Sequence, residues 1–312
     1  MYRKIMGFLE AWKENEHRKP LILQGARQVG KTYSILEFGR THYENVAYFN
    51  FETNPKLNET FEENISPDYL IPILSHIAGQ TIVKEKTLIV FDEVQLCERA
   101  LTSLKYFCEN APDYHIIVAG SLLGVAVNRA KFSFPVGKVD MKTLYPMDME
   151  EFMLALGEDD LVEQIKKCFQ TDTPLPSALH DAAMQLYRQY LVVGGMPECV
   201  MQFAETKDYI LVRHTQDTIL ASYLNDMSKY NNLNEIKKTR LAYNNITVQL
   251  SKKNTRFQYK LIKKGGRASE FENAIEWLCL SGIVSQVYKV EQIKKPLENY
   301  RDIDAFKIYV SD

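Results

Sequence analysis

Eight consecutive residues, Gly25, Ala26, Arg27, Gln28, Val29, Gly30, Lys31 and Thr32, carry the pattern G-x-x-x-x-G-K-[ST] directly after the apolar run 21–23. That pattern suits one chemistry, the capture of a nucleotide's phosphates. Gly25 and Gly30 let the backbone curl so that successive N–H groups point inward as an anion nest. Lys31 would set its ammonium against the β- and γ-phosphates, and the Thr32 hydroxyl would ligate Mg²⁺. A helix opening at Lys31 adds its positive N-terminal end. No N-K-x-D guanine-reading motif occurs, so ATP with Mg²⁺ is the expected cofactor pair.

A second motif sits where the first requires one. Residues 87–93, Thr-Leu-Ile-Val-Phe-Asp-Glu, read as a buried parallel strand ending in two carboxylates. An open α/β sheet binds its ligand at the C-terminal ends of its strands. There Asp92 would hold Mg²⁺, usually through water, and Glu93 would orient and deprotonate the attacking water. The bland alternative is a strand whose end happens to be acidic. A third apolar run, 115–119, is followed by Gly120 and Ser121. Ser121 is either a γ-phosphate sensor or a plain helix N-cap.

The elements that must position these groups follow from the rest of the chain. Ile5, Phe8, Leu9 and Trp12 recur at helical spacing, which predicts an amphipathic helix over 3–18. Strands are expected at 46–51, 87–93, 115–121 and, at the edge, 139–144. A helix is expected at 99–110, and a helical stretch over 54–82 broken at Pro55, Pro67 and Pro72. From Pro146 the pattern turns to helices at 147–156, 159–169, 179–193, 197–206 and 207–230, with Gly194-Gly195 and Asn231-Asn232 as breaks. The remainder reads as a helix over 234–249, a helix over 269–281 with Ser269 as N-cap and Glu272 completing a capping box, and alternating strands at 283–290 and 306–310. Helices followed by two strands describe a winged helix, with 291–301 as the wing tip. Expected domains are therefore 1–145, a phosphate-loop ATPase core; 146–232, a helical region; and 233–312, the winged-helix-like part.

The 312 residues are 46% hydrophobic and 25% charged, a composition able to build a sizeable core. No apolar stretch is long enough to cross a membrane and the N-terminus lacks a secretory pattern, so a cytoplasmic protein without a membrane partner is expected. Five scattered cysteines, with no C-x-x-C pair, point to reduced and mostly buried thiols rather than disulfides or zinc. The net charge of −2 hides an asymmetry: residues 1–227 carry −9 and residues 228–312 carry +7. Residues 251–267 hold seven basic residues and no acid. Lys252, Lys253, Arg256, Lys263, Lys264 and Arg267 could contact nucleic-acid phosphates. A solvated basic face, or a dock for the acidic part of the chain, explains the run as well. Phe257 and Tyr259 fit a core better than stacking platforms.

The phrases KPLILQGARQVGKT, LIVFDEVQ, HIIVAGSLLG, LYPMDMEEF, YLVVGGMPECV, TILASYLNDMSKY and FENAIEWLCLSGIV together resemble a prokaryotic family of AAA-type ATPases of the additional-strand division. The resemblance runs over essentially the whole chain. It implies an α/β fold with a parallel sheet of order 5-1-4-3-2, followed by a helical region and a winged helix. It also implies that Gly25, Gly30, Lys31 and Thr32 bind phosphate and magnesium, that Asp92 and Glu93 carry hydrolysis, and that Ser121 is the sensor. Where relatives often show Gly-Arg, this chain has Gly137-Lys138, and it stops where relatives continue into a nuclease-like domain. No paired-carboxylate-plus-Lys nuclease motif is evident in the sequence, so no nuclease activity is expected. A charge stabiliser for the leaving phosphate would come from Arg99, Arg129 or Arg213, with Arg129 placed first, in cis or from a neighbouring subunit of an oligomer. The expected function is Mg²⁺-dependent ATP hydrolysis coupled to remodelling or moving a partner, DNA among the candidates. The alternative is a slow-turnover switch whose basic C-terminal part is gated by nucleotide.

Overall fold

A computed structural model describes residues 1–120, 134–229, 233–253 and 255–312. Two compact units divide it, Met1–Arg213 and His214–Asp312. Ser121 and Arg129 lie outside the described residues.

Unit one is built on five parallel strands, β1 (Leu21–Gln24), β2 (Asn45–Asn50), β3 (Thr87–Asp92), β4 (His115–Gly120) and β5 (Asp140–Thr143). Their order is β2-β3-β4-β1-β5, which read from the other edge is the 5-1-4-3-2 expected above. β3 and β4 are buried at every position, as their uninterrupted apolar runs require of strands covered on both faces. Successive side chains point to opposite faces. Ile89, Phe91, Ile116 and Val118 enter a cluster with Phe51, Leu57, Phe61, Leu74 and Leu104. That cluster brings together α3 (Lys56–Glu63), α4 (Pro67–Ala78) and α5 (Glu98–Asn110). Phe51, Phe61 and Phe91 meet edge-on or tilted, with ring centroids 5.5–5.8 Å apart, the arrangement their quadrupoles favour. Leu88 faces the other way, toward α2 (Lys31–His42). A Cβ on Gly39 of α2 would lie 2.5 Å from Val46 and 3.1 Å from Leu88, so this glycine sets how closely helix and sheet approach.

The N-terminal helix α1 (Ile5–Glu14) is shorter than the 3–18 expected, and buries Ile5, Leu9 and Trp12. Of the three expected proline breaks, Pro55 caps α3 and Pro67 opens α4, where its missing N–H is harmless. Pro72 lies inside α4 without ending it. After the sheet come α6 (Met149–Ala155), α7 (Asp159–Gln170), α8 (Ser177–Val193) and α9 (Pro197–Thr206). α10 (Tyr209–Lys229) runs across the division between the units.

Unit two holds α11 (Leu233–Leu250), α12 (Ala268–Leu280) and an antiparallel pair, β6 (Val284–Val290) with β7 (Arg301–Val310). Phe271, Ala274, Ile275 and Leu278 of α12 are buried, and Phe257 stacks on Phe306 at 5.6 Å. The capping box expected at Ser269 and Glu272 does not form. Arg267 is the extended residue before α12 and makes no side-chain cap. The chain therefore turns helical before Ser269, which sits in the first turn and is not at the N-cap. The capping box that does form is Asp148 with Glu151 at the start of α6. Of the cysteines only Cys97 and Cys199 are buried; Cys108, Cys168 and Cys279 are half-buried, and all five are free thiols. Among the described residues no helix is long and apolar enough to cross a membrane.

Candidate functional site

β1 ends at Gln24 and the chain turns at once through residues 25–30 into α2. The turn needs its glycines. Gly25 has φ +149°, and a Cβ there would lie 2.2 Å from the Leu144 carbonyl oxygen. That carbonyl is fixed, because the Leu144 N–H donates to Gln24 O at 2.8 Å. Gly30 is left-handed at φ +90° and caps α2, and Gln28 also has positive φ, +64°. Such alternation folds a loop into a concave arc of N–H groups.

Lys31 is 7% exposed. Its ammonium donates to the Gly25 and Ala26 carbonyls at 2.9 and 2.8 Å. Burial pulls its pKa down from 10.5 to about 8, while the Glu93 and Asp92 carboxylates pull it up and Arg27 lowers it further. A buried ammonium that donates to two main-chain carbonyls and is desolvated by burial is a site that an anion would satisfy.

Across the mouth of the loop lies the end of β3. Asp92 is 5% exposed. Its Oδ2 accepts from the Thr32 hydroxyl at 2.9 Å and from the Tyr48 hydroxyl at 2.7 Å. Its Oδ1 accepts from the Glu93 N–H at 2.9 Å. Thr32 and Asp92, 60 residues apart, thus meet directly. A threonine hydroxyl that gives its proton to a carboxylate keeps its lone pairs for a cation, so this pair fits Mg²⁺ with oxygen ligands. Among the described residues no cluster of three or more His, Cys, Asp or Glu side chains forms a metal site. Glu93 follows in the left-handed region at φ +51° and is half-buried. The Gln95 amide donates to its Oε2.

Sequence reasoning overlooked four contributors. Tyr48 on β2 joins Asp92, with Asn50 donating to the Tyr48 hydroxyl at 3.3 Å; its phenol is pushed up to about 12, chiefly by burial. Arg3 donates from Nη1 to Val29 O at 2.8 Å, inside the loop itself. Gly195 abuts Met147, where a Cβ would lie 2.2 Å from the carbonyl oxygen. Pro197 approaches to 3.5 Å of where a Gly30 Cβ would stand. The phrase GGMP was visible but had no partner in sequence. The D-x-x-E spacing at 148–151 was a capping signal available to inspection.

The basic residues Lys252, Lys253, Arg256, Lys263, Lys264 and Arg267 are all exposed in unit two. Arg256 donates to Asp304 O at 2.9 Å, and Lys263 pairs with Glu270 at 3.3 Å. Phe257 is buried, and Tyr259 packs edge-on against it and Phe306.

Comparison with known proteins agrees with this geometry. Residues 17–153 match the family model of an AAA domain. Residues 184–312 match a domain of unknown function, DUF8612. None of the curated proteins matches. Among solved structures, the Walker-type ATPase PABY2304 of Pyrococcus abyssi superposes with a TM-score of 0.59 at 13% identity, over 99% of this chain and 93% of that one. The ORC2 protein of Aeropyrum pernix, solved as ADPNP-ADP complexes, gives 0.51 at 12% identity, over 99% and 90%. At these identities the likeness is one of fold, and the fold is that of the P-loop ATPases.

Proposed function

We propose that the chain binds ATP with Mg²⁺ in the 25–32 loop and hydrolyses it. The observation that carries this reading is the direct Thr32–Asp92 hydrogen bond beside the buried Lys31 ammonium. In this reading a pair of oxygens suited to a cation stands beside an ammonium suited to an anion. Gly25, Ala26, Arg27, Gln28, Val29 and Gly30 supply the main-chain cradle. Lys31 neutralises phosphate charge. Thr32 and Asp92 would hold the metal, which supplies further positive charge to the phosphate oxygens. Glu93 orients a water and takes its proton. Ser121 as sensor and Arg129 as the charge stabiliser complete the proposal from the sequence.

The Gln95–Glu93 contact favours slow turnover in the free protein. The Gln95 amide occupies one oxygen of the Glu93 carboxylate, so that oxygen is not open to a water until the contact breaks. Hydrolysis then awaits a partner that releases it, and the helical and winged-helix-like parts would transmit the change. The exposed basic stretch 252–267 makes a nucleic-acid backbone the partner to try first.

Glu93→Gln tests the assignment. ATP binding should persist while phosphate release falls by two orders of magnitude or more, on the order of a general base's contribution. A normal release rate would mean another group is the base. Adding duplex DNA at two salt concentrations should raise turnover at low salt only; equal rates throughout would remove DNA as the activator.

A further inference from the structure

The phosphate loop is held from outside by a residue near the start of the chain. Arg3 is 3% exposed and uses all three guanidinium nitrogens. Nη1 donates to Val29 O at 2.8 Å, Nη2 to Tyr145 O at 2.8 Å, and Nε to Glu151 Oε1 at 3.1 Å. Glu151 is itself buried and fully engaged. Its Oε1 also accepts from the Lys4 N–H at 2.7 Å, and its Oε2 accepts from the Asp148 N–H at 3.2 Å. Guanidinium and carboxylate are therefore rigid, each fixed by several bonds.

Val29 O belongs to the peptide whose N–H is that of Gly30. In a planar trans peptide the carbonyl and the N–H point in opposite directions. Fixing the carbonyl on Arg3 therefore aims the Gly30 N–H away from Arg3. Gly30 is left-handed and lacks a side chain, so its two flanking peptide planes rotate with little steric resistance. Without an outside hold, this plane is free to flip and turn a carbonyl toward an incoming phosphate. The Gly30 N–H makes no hydrogen bond to the described residues, which leaves it available to a ligand.

We infer that Arg3 is a positioning residue for phosphate binding: by holding Val29 O it presets the Gly30 N–H as a donor, and it ties that setting to Tyr145 and Glu151 after the sheet. The inference rests on the ATP-site reading above. It predicts that a shift of the 145–151 segment reaches the phosphate cradle through one side chain.

The test uses the full chain with Arg3→Met combined with Glu151→Gln, which leaves no buried charge unpaired. The folded double variant should bind both ATP and inorganic tripolyphosphate about tenfold more weakly, as expected for one misdirected donor to a charged group. Amide exchange in residues 25–31 should quicken. A folded double variant with wild-type affinity and exchange would overturn the inference. Should the pair of changes prevent folding, Arg3→Lys keeps the charge opposite Glu151 but cannot span three acceptors. It should weaken both ligands by at least threefold, on the order of a single lost bond, and wild-type affinity there overturns the inference equally. Failure of the wild-type chain to bind either ligand refutes the ATP-site reading instead, while faster exchange at 25–31 in the variants would still report Arg3's hold on the loop.

Discussion

Raising the pH should weaken ATP binding through Lys31 alone. In the free protein, burial lowers this ammonium from 10.5 to about 8 against the opposing pull of Glu93 and Asp92, with Arg27 adding to the lowering. At about 1.4 kcal/mol per pKa unit, the fall amounts to roughly 3 kcal/mol against the charged form. The folded pKa lies below the unfolded one, so between about 8 and 10.5 the unfolded chain binds more protons. The ligand-free fold should therefore gain stability as pH rises through that window. A triphosphate reverses the preference, because it needs the ammonium. Affinity should be level below pH 8 and then fall about tenfold per pH unit, to about 25-fold weaker at pH 9.5 than at pH 7.5. Tyr48, the neighbouring phenol, stays protonated throughout, since it is pushed up to about 12. Titration calorimetry at pH 9 in buffers of different ionisation enthalpy should register uptake of close to one proton per ATP bound. A level affinity from pH 7.5 to 9.5 with no proton uptake would refute the claim that Lys31 is an electrostatically starved phosphate ligand.

Gly195→Ala should destabilise the first unit by about 2–3 kcal/mol or more. The added carbon would meet the Met147 backbone at 2.2 Å, and backbone does not yield as a flexible side chain does; a denaturant midpoint matching wild type would show that the contact relaxes freely. Tyr48→Phe should lower stability by about 1–2 kcal/mol by taking one of three donors from the buried Asp92; an unchanged midpoint in the same assay would mean that water replaces the phenol without loss.

The proposed chemistry could be read from sequence because it is local. Residues 25–32 and 87–93 are contiguous runs, so the roles proposed for them rest on residue types and spacing within each run. The strand order was legible only through resemblance, since nothing in periodicity tells which strands are neighbours. Helix ends were less legible. The Ser269 capping box failed because the chain turned helical before it, while the box at Asp148 and Glu151 went unread. Pro72 was read as a break although its helix continues through it. What could not be read at all was long-range hydrogen bonding. Arg3 and Glu151 lie 148 positions apart, and a single arginine or glutamate in a polar segment looks like surface.

The same distinction explains why GGMP looked silent. A glycine with no catalytic neighbour in sequence is assigned to a turn, yet Gly195 is required because the Met147 carbonyl stands where its side chain would be. The Met147 N–H donates to Gly195 O at 2.6 Å, and Tyr190 donates to Met147 O at 2.8 Å. These bonds fix the segment that presents Tyr145 O to Arg3, and the next residues bring Pro197 up to Gly30. The loop is braced on its outer side by Arg3, which holds Val29 O, and by Pro197 beside Gly30. In this chain the outer side is built from the first residues and from segments beyond the sheet. All of them lie within the same compact unit, Met1–Arg213. The shape of the proposed phosphate site is thus specified by far more of the chain than residues 25–32. Changes in the segment after the sheet have a physical route to it.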